Sequence, residues 1–398
     1  MVNIAIMGFG TVGGGVYEIL KNNSFEKEAL NPIKIKHILD IRDFSDHPQK
    51  ELFTKDFNDI LEDSEIYCVV EAMGGLHPAY EFTKTLLLAG KNVVTSNKEL
   101  VATYGPELFK IAKENNLNYL FEASVGGGIP IIEPMRMSLK SNKIEKIAGI
   151  LNGTTNYILS EMINKNKDFE AALADAQEKG YAERNPAADI EGHDACRKIA
   201  ILSSLAWGNY VNYKDITTEG ITEITLDDVK AAELFGYVIK LIGYAEKNEK
   251  VFARVSPMLI EKGHPLSGVE DVFNAVLVHG NYLGDTMFYG KGAGKFPTAS
   301  AIVADVIESV RHINAQKAYI DWLPSEENYM LDINETMSRY FVRCKASKEE
   351  ICKVFNGAEV KSTANGENAF ITDKMKEGEF KKLLKDFSAD KFIRVLEA

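Results

Sequence analysis

The chain has 398 residues, 45% of them hydrophobic and 26% charged, with a formal net charge of −12. That length exceeds what one hydrophobic core organises, so two or three domains are expected in an ordinary globular protein. The acidic balance excludes nucleic acid as the main partner, and no run of about 18 apolar residues is there to span a membrane.

The four cysteines (Cys68, Cys196, Cys344, Cys352) form no CxxC pair, so neither a zinc site nor a disulfide framework is expected. VNIAIMGFG at the start is strand-like and lacks a basic stretch followed by an apolar one, so a cytoplasmic protein is expected.

Val2–Met7 is a short apolar run ending in Gly-Phe-Gly, and Thr11–Lys21 then has a helical pattern. Strands are expected at Ile33–Ile41, Ile66–Glu71, Asn92–Thr95 and Asn118–Glu122, with helices at Pro78–Ala89 and Pro106–Asn115. Short, continuously apolar strands alternating with helices indicate a doubly wound parallel sheet covered on both faces. This first domain spans 1–135 and is completed by a helix within 297–320, whose strongest stretch is Pro297–Gln316.

The middle segment, 136–296, has the pattern of an α+β domain for substrate and dimerisation. It holds a strand at Lys143–Leu151 and helices at Thr154–Asn164, Phe169–Lys179 and Gly192–Trp207. A longer helix is predicted over Asp227–Lys247, then strands at Val251–Ile260 and Val272–Val278. After a linker at Pro324, residues 335–398 give the order βαββαβ of a ferredoxin-like split unit.

Gly8-Phe9-Gly10-Thr11-Val12-Gly13 fits G-x-G-x-x-G between a strand and a helix, the context that makes the motif informative. Gly8 permits the tight turn, Gly10 lets the backbone approach a pyrophosphate, and Gly13 allows close helix–strand packing. The helix N-terminus then offers N–H groups to the phosphates. An acidic residue ending the second strand suits NAD, whereas an arginine suits the 2′-phosphate of NADP. Leu39-Asp40-Ile41-Arg42 offers both, and Arg42, standing later, tips the expectation to NADP.

Ligands of open α/β sheets gather at the carboxyl ends of the strands. Thr95-Ser96-Asn97-Lys98 puts a lysine there, and the Gly126–Gly128 run is either a hinge or a backbone that presents carbonyls to an ion. In Gly180–Lys198 a carboxylate-rich loop runs into a helix on which Asp194 and Lys198 stand four apart, on one face. On a solvated face they are an ordinary salt bridge; lining a cleft they are a proton-handling pair.

The segments GFGTVGGG (8–15), TSNK (95–98), EASVGGGIP (122–130), GILNGTTNYIL (149–159), GYAERNPAADIEGHDACRK (180–198) and KGAGKFPTASAIVAD (291–305) resemble those of homoserine dehydrogenases. The resemblance covers residues 1–316 and implies reversible, NAD(P)-dependent interconversion of L-homoserine and L-aspartate 4-semialdehyde, a step towards threonine, methionine and isoleucine. It implies that Lys198 is the acid/base, with Asp194 beside it and Lys98 between cofactor and substrate. Glu183 would receive the substrate ammonium, with Asp189 as its neighbour. Asn152, Gly153, Thr154 and Thr155 would border the substrate; Thr95, Gly292 and Gly294 would border the nicotinamide. The backbone around Glu122, Val125, Gly127 and Ile129 resembles a monovalent cation site, usually for sodium.

The C-terminal unit resembles an ACT-type amino-acid-sensing domain, often a threonine sensor. The Asp-x-x-Gly ligand turn of such domains has no counterpart in Lys345–Ile351. A homo-oligomer, dimer or tetramer, is implied as well. Cys196 precedes Lys198 by two residues, about 200° round the helix, so a thioester route is not expected. Two rivals remain: another Rossmann dehydrogenase acting on an amino acid or semialdehyde, and an inactive binding protein. The first leaves Glu183 and Lys198 unexplained, and the second should have lost Lys198 or Lys98.

Overall fold

The computed structural model describes every residue except 316, 318, 327, 328, 388, 390 and 398. The chain forms two compact units: Met1–Lys143, Ala200–Tyr213 and Phe288–Ser325 make the first; Ile144–Ile199, Lys214–Met287 and Glu326–Ala398 make the second. No helix of the described residues is long and apolar enough to cross a membrane.

In the first unit six strands line up: β1 Val2–Met7, β2 Ile33–Leu39, β3 Phe53–Thr54, β4 Ile66–Glu71, β5 Asn92–Thr95 and β6 Tyr119–Leu120. They lie in the order β3-β2-β1-β4-β5-β6, and every pair is parallel. This is the doubly wound Rossmann-type order, in which the chain reverses direction across the sheet between β1 and β4. Ile4, Ile6, Val70 and Val94 are fully buried, as strands covered on both faces should be. The helix Lys295–Arg311 closes the same core, contributing Ala299, Ile302 and Val306. A Cβ on Gly15 of the helix Thr11–Asn22 would come within 2.9 Å of Ala299 Cβ, so glycine permits that approach. The predicted helix end at Gln316 falls outside the described residues.

One helix starts earlier than its proline suggests. Lys98–Glu114 is continuous, with Pro106 inside it and the Asn97 side chain capping Leu100 N–H. Proline leaves the carbonyl four residues back without its N–H donor. That carbonyl, Ala102 O, accepts the Tyr210 hydroxyl at 2.8 Å instead.

The second unit is built on a mixed sheet of ten strands. Its members are β7 Ile144–Ile150, β8 Thr217–Thr218, β9 Tyr237–Lys247, β10 Val251–Glu261, β11 Phe273–Gly280 and β12 Gly284–Lys291, joined by C-terminal strands. The long helix predicted over Asp227–Lys247 is a correction. Only Leu226–Leu234 is helical, held by a capping box between Thr225 and Asp228. Gly236 at φ +82° ends it, and the β-branched, aromatic run that follows is β9, paired along its whole length with β10.

After a short pair, β13 Met337–Ser338 with β17 Met375–Lys376, the C-terminal strands are β14 Tyr340–Cys344, β15 Glu359–Ser362, β16 Asn368–Ile371 and β18 Ile393–Val395. With helices Lys348–Val354 and Glu377–Asp386 they give the expected βαββαβ succession, with the short β17 added. Their order β18-β14-β16-β15 is antiparallel throughout. β18 also pairs with β10, so this segment continues the larger sheet instead of standing apart from it.

Candidate active site

In the first unit the glycine loop sits where β1 ends. Gly8 has φ +90°, and a Cβ there would lie 2.7 Å from Ala72 O, the backbone leaving β4. A Cβ on Gly13 would come within 1.9 Å of Gly8 O, whereas one on Gly10 meets nothing within 4 Å. The outer glycines are therefore required by packing. Gly10 leaves its side of the loop open for a ligand to approach the N-terminus of Thr11–Asn22, where Thr11 and Val12 supply the first helical N–H groups.

Asp40 stands at the end of β2 and accepts the Phe9 N–H at 2.8 Å. The same carboxylate takes Arg42 through Nε at 2.9 Å and Nη2 at 2.8 Å. This bidentate pair holds the Asp40 carboxyl well below the usual carboxylate range. Asp40 and Arg42 are thus one unit, with the arginine the more exposed partner.

At the end of β5 the Thr95 hydroxyl is fully buried and donates to Glu71 Oε2 at 2.6 Å. Glu71, also fully buried, takes the Met73 N–H, and burial raises its pKa. The sequence reasoning missed Glu71; a carboxylate closing the apolar run IYCVV was the available signal. Lys98 opens the following helix and is half-buried.

The Glu122 carboxylate accepts three backbone N–H groups, from Ile131, Ile132 and Glu133, at 2.6–2.8 Å. Its own N–H donates to the half-buried Asp305 carboxylate. Burial raises the pKa of both acids. No cluster of three His, Cys, Asp or Glu suited to a metal occurs among the described residues. The turn that follows has left-handed glycines, Gly126 at φ +74° and Gly127 at φ +56°. Backbone oxygens, like those of this segment, are neutral, hard donors of the kind that suit a weakly held monovalent cation. Gly127 also lies against Gly292: a Cβ there would meet Gly292 O at 2.4 Å. Gly294, at φ +123°, starts the helix Lys295–Arg311.

The second unit gathers four of the predicted side chains into one hydrogen-bonded cluster. Lys198 Nζ lies 2.7 Å from Asp194 Oδ2 and 2.7 Å from Leu151 O. Both side chains are about nine-tenths buried, so the pair is not a solvated helix salt bridge. Asn152 ties the cluster together. Its Oδ1 caps the helix Gly153–Lys165 by accepting Thr155 N–H, while its Nδ2 donates to Asp189 at 2.7 Å and Asp194 at 2.9 Å. Gly220 approaches so closely that a Cβ would lie 2.1 Å from Ile190 O, which fixes the short helix Ala187–Ile190 bearing Asp189.

The remaining positions divide by role. Thr154 donates to Tyr181 O at 2.6 Å and Thr155 to Asn152, so both hydroxyls brace the loop and the helix start. Gly153 allows close passage of Val272 O. Glu183 is exposed, and its carboxylate makes no hydrogen bond among the described residues. Cys196 is buried, and burial pushes its thiol pKa up, away from thiolate chemistry.

A parallel Rossmann-type unit with a phosphate-ready glycine loop, in a chain whose other unit carries a buried lysine–carboxylate pair, defines a nicotinamide-dependent oxidoreductase. Residues 8–122 match the homoserine dehydrogenase NAD binding domain, and residues 130–307 match the homoserine dehydrogenase family. A homoserine dehydrogenase of Synechocystis is 45% identical over 83% of this chain and 76% of its own length. That of Bacillus subtilis is 37% identical over 87% and 82%. The crystal structure of a homoserine dehydrogenase from Thiobacillus denitrificans superposes with a TM-score of 0.92 at 35% identity, covering 100% of this chain and 98% of that one. A hyperthermophilic archaeal homoserine dehydrogenase in complex with NADPH gives 0.68 at 30% identity, over 79% and 99%. The chain belongs to the homoserine dehydrogenase family, oxidoreductases that interconvert L-homoserine and L-aspartate 4-semialdehyde.

Proposed function

We propose that this chain carries out that interconversion with Lys198 as its acid/base, and the observation that carries the proposal is the buried Lys198–Asp194 pair. Bound NAD(P)H supplies the hydride, and its binding falls to the Gly8–Gly13 loop. In the reducing direction the ammonium of Lys198 gives a proton to the oxygen formed from the aldehyde; in the oxidising direction the neutral amine takes it back. Asp194 and Leu151 O hold the nitrogen in one orientation, and Asn152 holds Asp194. Glu183, exposed and charged, pairs with the substrate ammonium, with Asp189 behind it.

Thr95, Lys98, Gly292 and Gly294 are proposed to border the nicotinamide, and Arg42 to favour NADP. The carbonyls of Glu122, Val125, Gly127 and Ile129 are proposed to hold a monovalent cation such as sodium, which would stiffen the glycine turn. The C-terminal unit is proposed to be ACT-like on the strength of its strand order. In place of a ligand turn, Ser347 and Glu350 form a helix capping box there, which speaks against threonine sensing through that turn. Work in the cytoplasm as a homo-oligomer completes the proposal.

The test is absorbance at 340 nm with homoserine and each dinucleotide. Homoserine-dependent reduction that disappears in Lys198→Ala, with dinucleotide binding intact, is expected. An unimpaired variant would remove Lys198 from the mechanism.

A further inference from the structure

A second lysine is buried in the same unit, in a strand where nothing in the proposed chemistry needs it. Lys240 stands in the middle of β9, flanked by Ile239 and Leu241, and is 2% exposed. It forms no ion pair among the described residues. A charge buried without a counter-ion is costly and persists only where its hydrogen bonds are well satisfied. Lys240 Nζ donates to Val269 O at 2.7 Å and to Asn156 Oδ1 at 3.1 Å.

Asn156 is 1% exposed and lies in the first turns of the helix Gly153–Lys165. Its Nδ2 faces the carbonyls of Val269, Asp271 and Phe273 at 3.2, 3.0 and 3.1 Å. One turn on, Ser160 Oγ accepts the N–H of Asp271, which sits at φ +57°. At the helix start, Gly153 passes so close to Val272 O that a Cβ would be 2.7 Å away. The helix is therefore docked on the 269–273 turn at three levels, and Lys240 clamps the turn and Asn156 together. The same helix start carries Asn152 as its cap, and Asn152 is the donor shared by Asp189 and Asp194.

We propose that Lys240 is a positioning residue for the acid/base: by clamping Asn156 to the Val269 carbonyl it fixes the helix start, and so the Asn152 amide that orients Asp194 beneath Lys198. The inference rests on the proposed role of Lys198. Burial lowers the Lys240 pKa to about 8, with Glu270 opposing the shift, so the group is under electrostatic load that a purely apolar strand position would avoid.

The test uses Lys240→Met, which keeps length and apolar packing but removes the donors, and Lys240→Gln, which keeps a donor without the charge. Circular dichroism and thermal melting of the full chain report folding. Expected for Lys240→Met is a kcat lowered about 10- to 100-fold, the scale on which small misplacement acts, with KM for the dinucleotide unchanged. Freed from Asn152, Asp194 would act on Lys198 alone and stabilise its ammonium. The rising limb of kcat against pH for homoserine oxidation, which reports the neutral amine, should then move to higher pH. Lys240→Gln should restore most of kcat and return the limb towards its original place.

Unchanged kcat and an unmoved limb in a folded Lys240→Met protein would overturn the inference, as would a Gln variant as impaired as Met. If Lys240→Met fails to fold, Asn156→Ala breaks the same link from its other end and is read by the same limb. Lys198→Ala run in parallel separates the failures. If it abolishes turnover while Lys240→Met does not, only the positioning role falls. If it leaves turnover intact, the acid/base assignment falls first.

Discussion

The Gly8–Gly13 loop of the first unit offers a ligand backbone N–H groups and the end of a helix. The Asn152–Asp189–Asp194–Lys198 cluster of the second offers side-chain charge. In the loop, function depends on what is missing, since two of its three glycines stand where a Cβ would strike backbone. In the cluster, the proposed function depends on what is buried, because two carboxylates share the Asn152 amide donor and one of them, Asp194, also accepts from the Lys198 ammonium. The loop should fail by losing cofactor, and the cluster by losing turnover.

The sharpest break of that contrast is Lys198→Ala. General acid–base catalysis is worth about 10²–10⁴-fold, so kcat should fall on that scale while the dinucleotide dissociation constant, followed by fluorescence, stays within about twofold. A parallel loss of dinucleotide affinity would mean that the two regions are not separable.

Gly13→Ala should give the opposite pattern. Its Cβ would meet Gly8 O at 1.9 Å, a contact that only backbone movement relieves. Overpacking of this kind costs about 1–3 kcal/mol or more, so melting temperature and dinucleotide affinity should fall together. Gly10→Ala is the control, with nothing within 4 Å of its added Cβ. It should melt like the parent and still raise KM for the dinucleotide, because the methyl occupies the pyrophosphate's path. A Gly10→Ala protein with unchanged KM would place the phosphates elsewhere.

These two regions also differ in how far they could be read from residues alone. The loop follows from local order, strand then glycines then helix, and β1–β6 alternate with helices as such a sheet requires. Asp194 and Lys198 could be placed on one helix face, but whether that face was wet depended on Asn152 and Leu151, more than forty residues away along the chain. The helix predicted over Asp227–Lys247 failed for a similar reason. A run such as YVIKLIGYAE has no decisive period, and its partner β10 settles it as a strand. Pro106 misled in the other direction, because the group that replaces its missing hydrogen bond, Tyr210, is remote in sequence.

A smaller effect is expected at Glu183, whose exposed carboxylate is proposed to meet the substrate ammonium. Glu183→Gln keeps the shape and removes the charge, so KM for homoserine should rise roughly tenfold, as for loss of one charge-assisted hydrogen bond. Selection against an analogue lacking the amine should weaken in step. Discrimination equal to the parent's would assign the ammonium to another group.

An effect of the same size, confined to one cofactor and refining the loop's side of the comparison, concerns Asp40 and Arg42. The pair is bidentate, and Asp40 also accepts the Phe9 N–H of the glycine loop. A 2′-phosphate bound by Arg42 must compete with Asp40 for the guanidinium, whereas a ribose 2′-OH can donate to Asp40 without displacing it. Arg42→Ala should therefore lower kcat/KM with NADP(H) by about tenfold, the low end for a hydrogen bond to a charged group, and leave NAD(H) nearly unchanged. Asp40→Ser should act on both cofactors, since the Phe9 N–H loses its acceptor, but should cost NAD(H) more because the phosphate's competitor is gone. The ratio of kcat/KM for the two cofactors in each variant is the number that decides. Equal losses in both variants would move phosphate selection to the neighbouring loop, where Lys50 and Lys55 border the same surface pocket as Asp40 and Arg42.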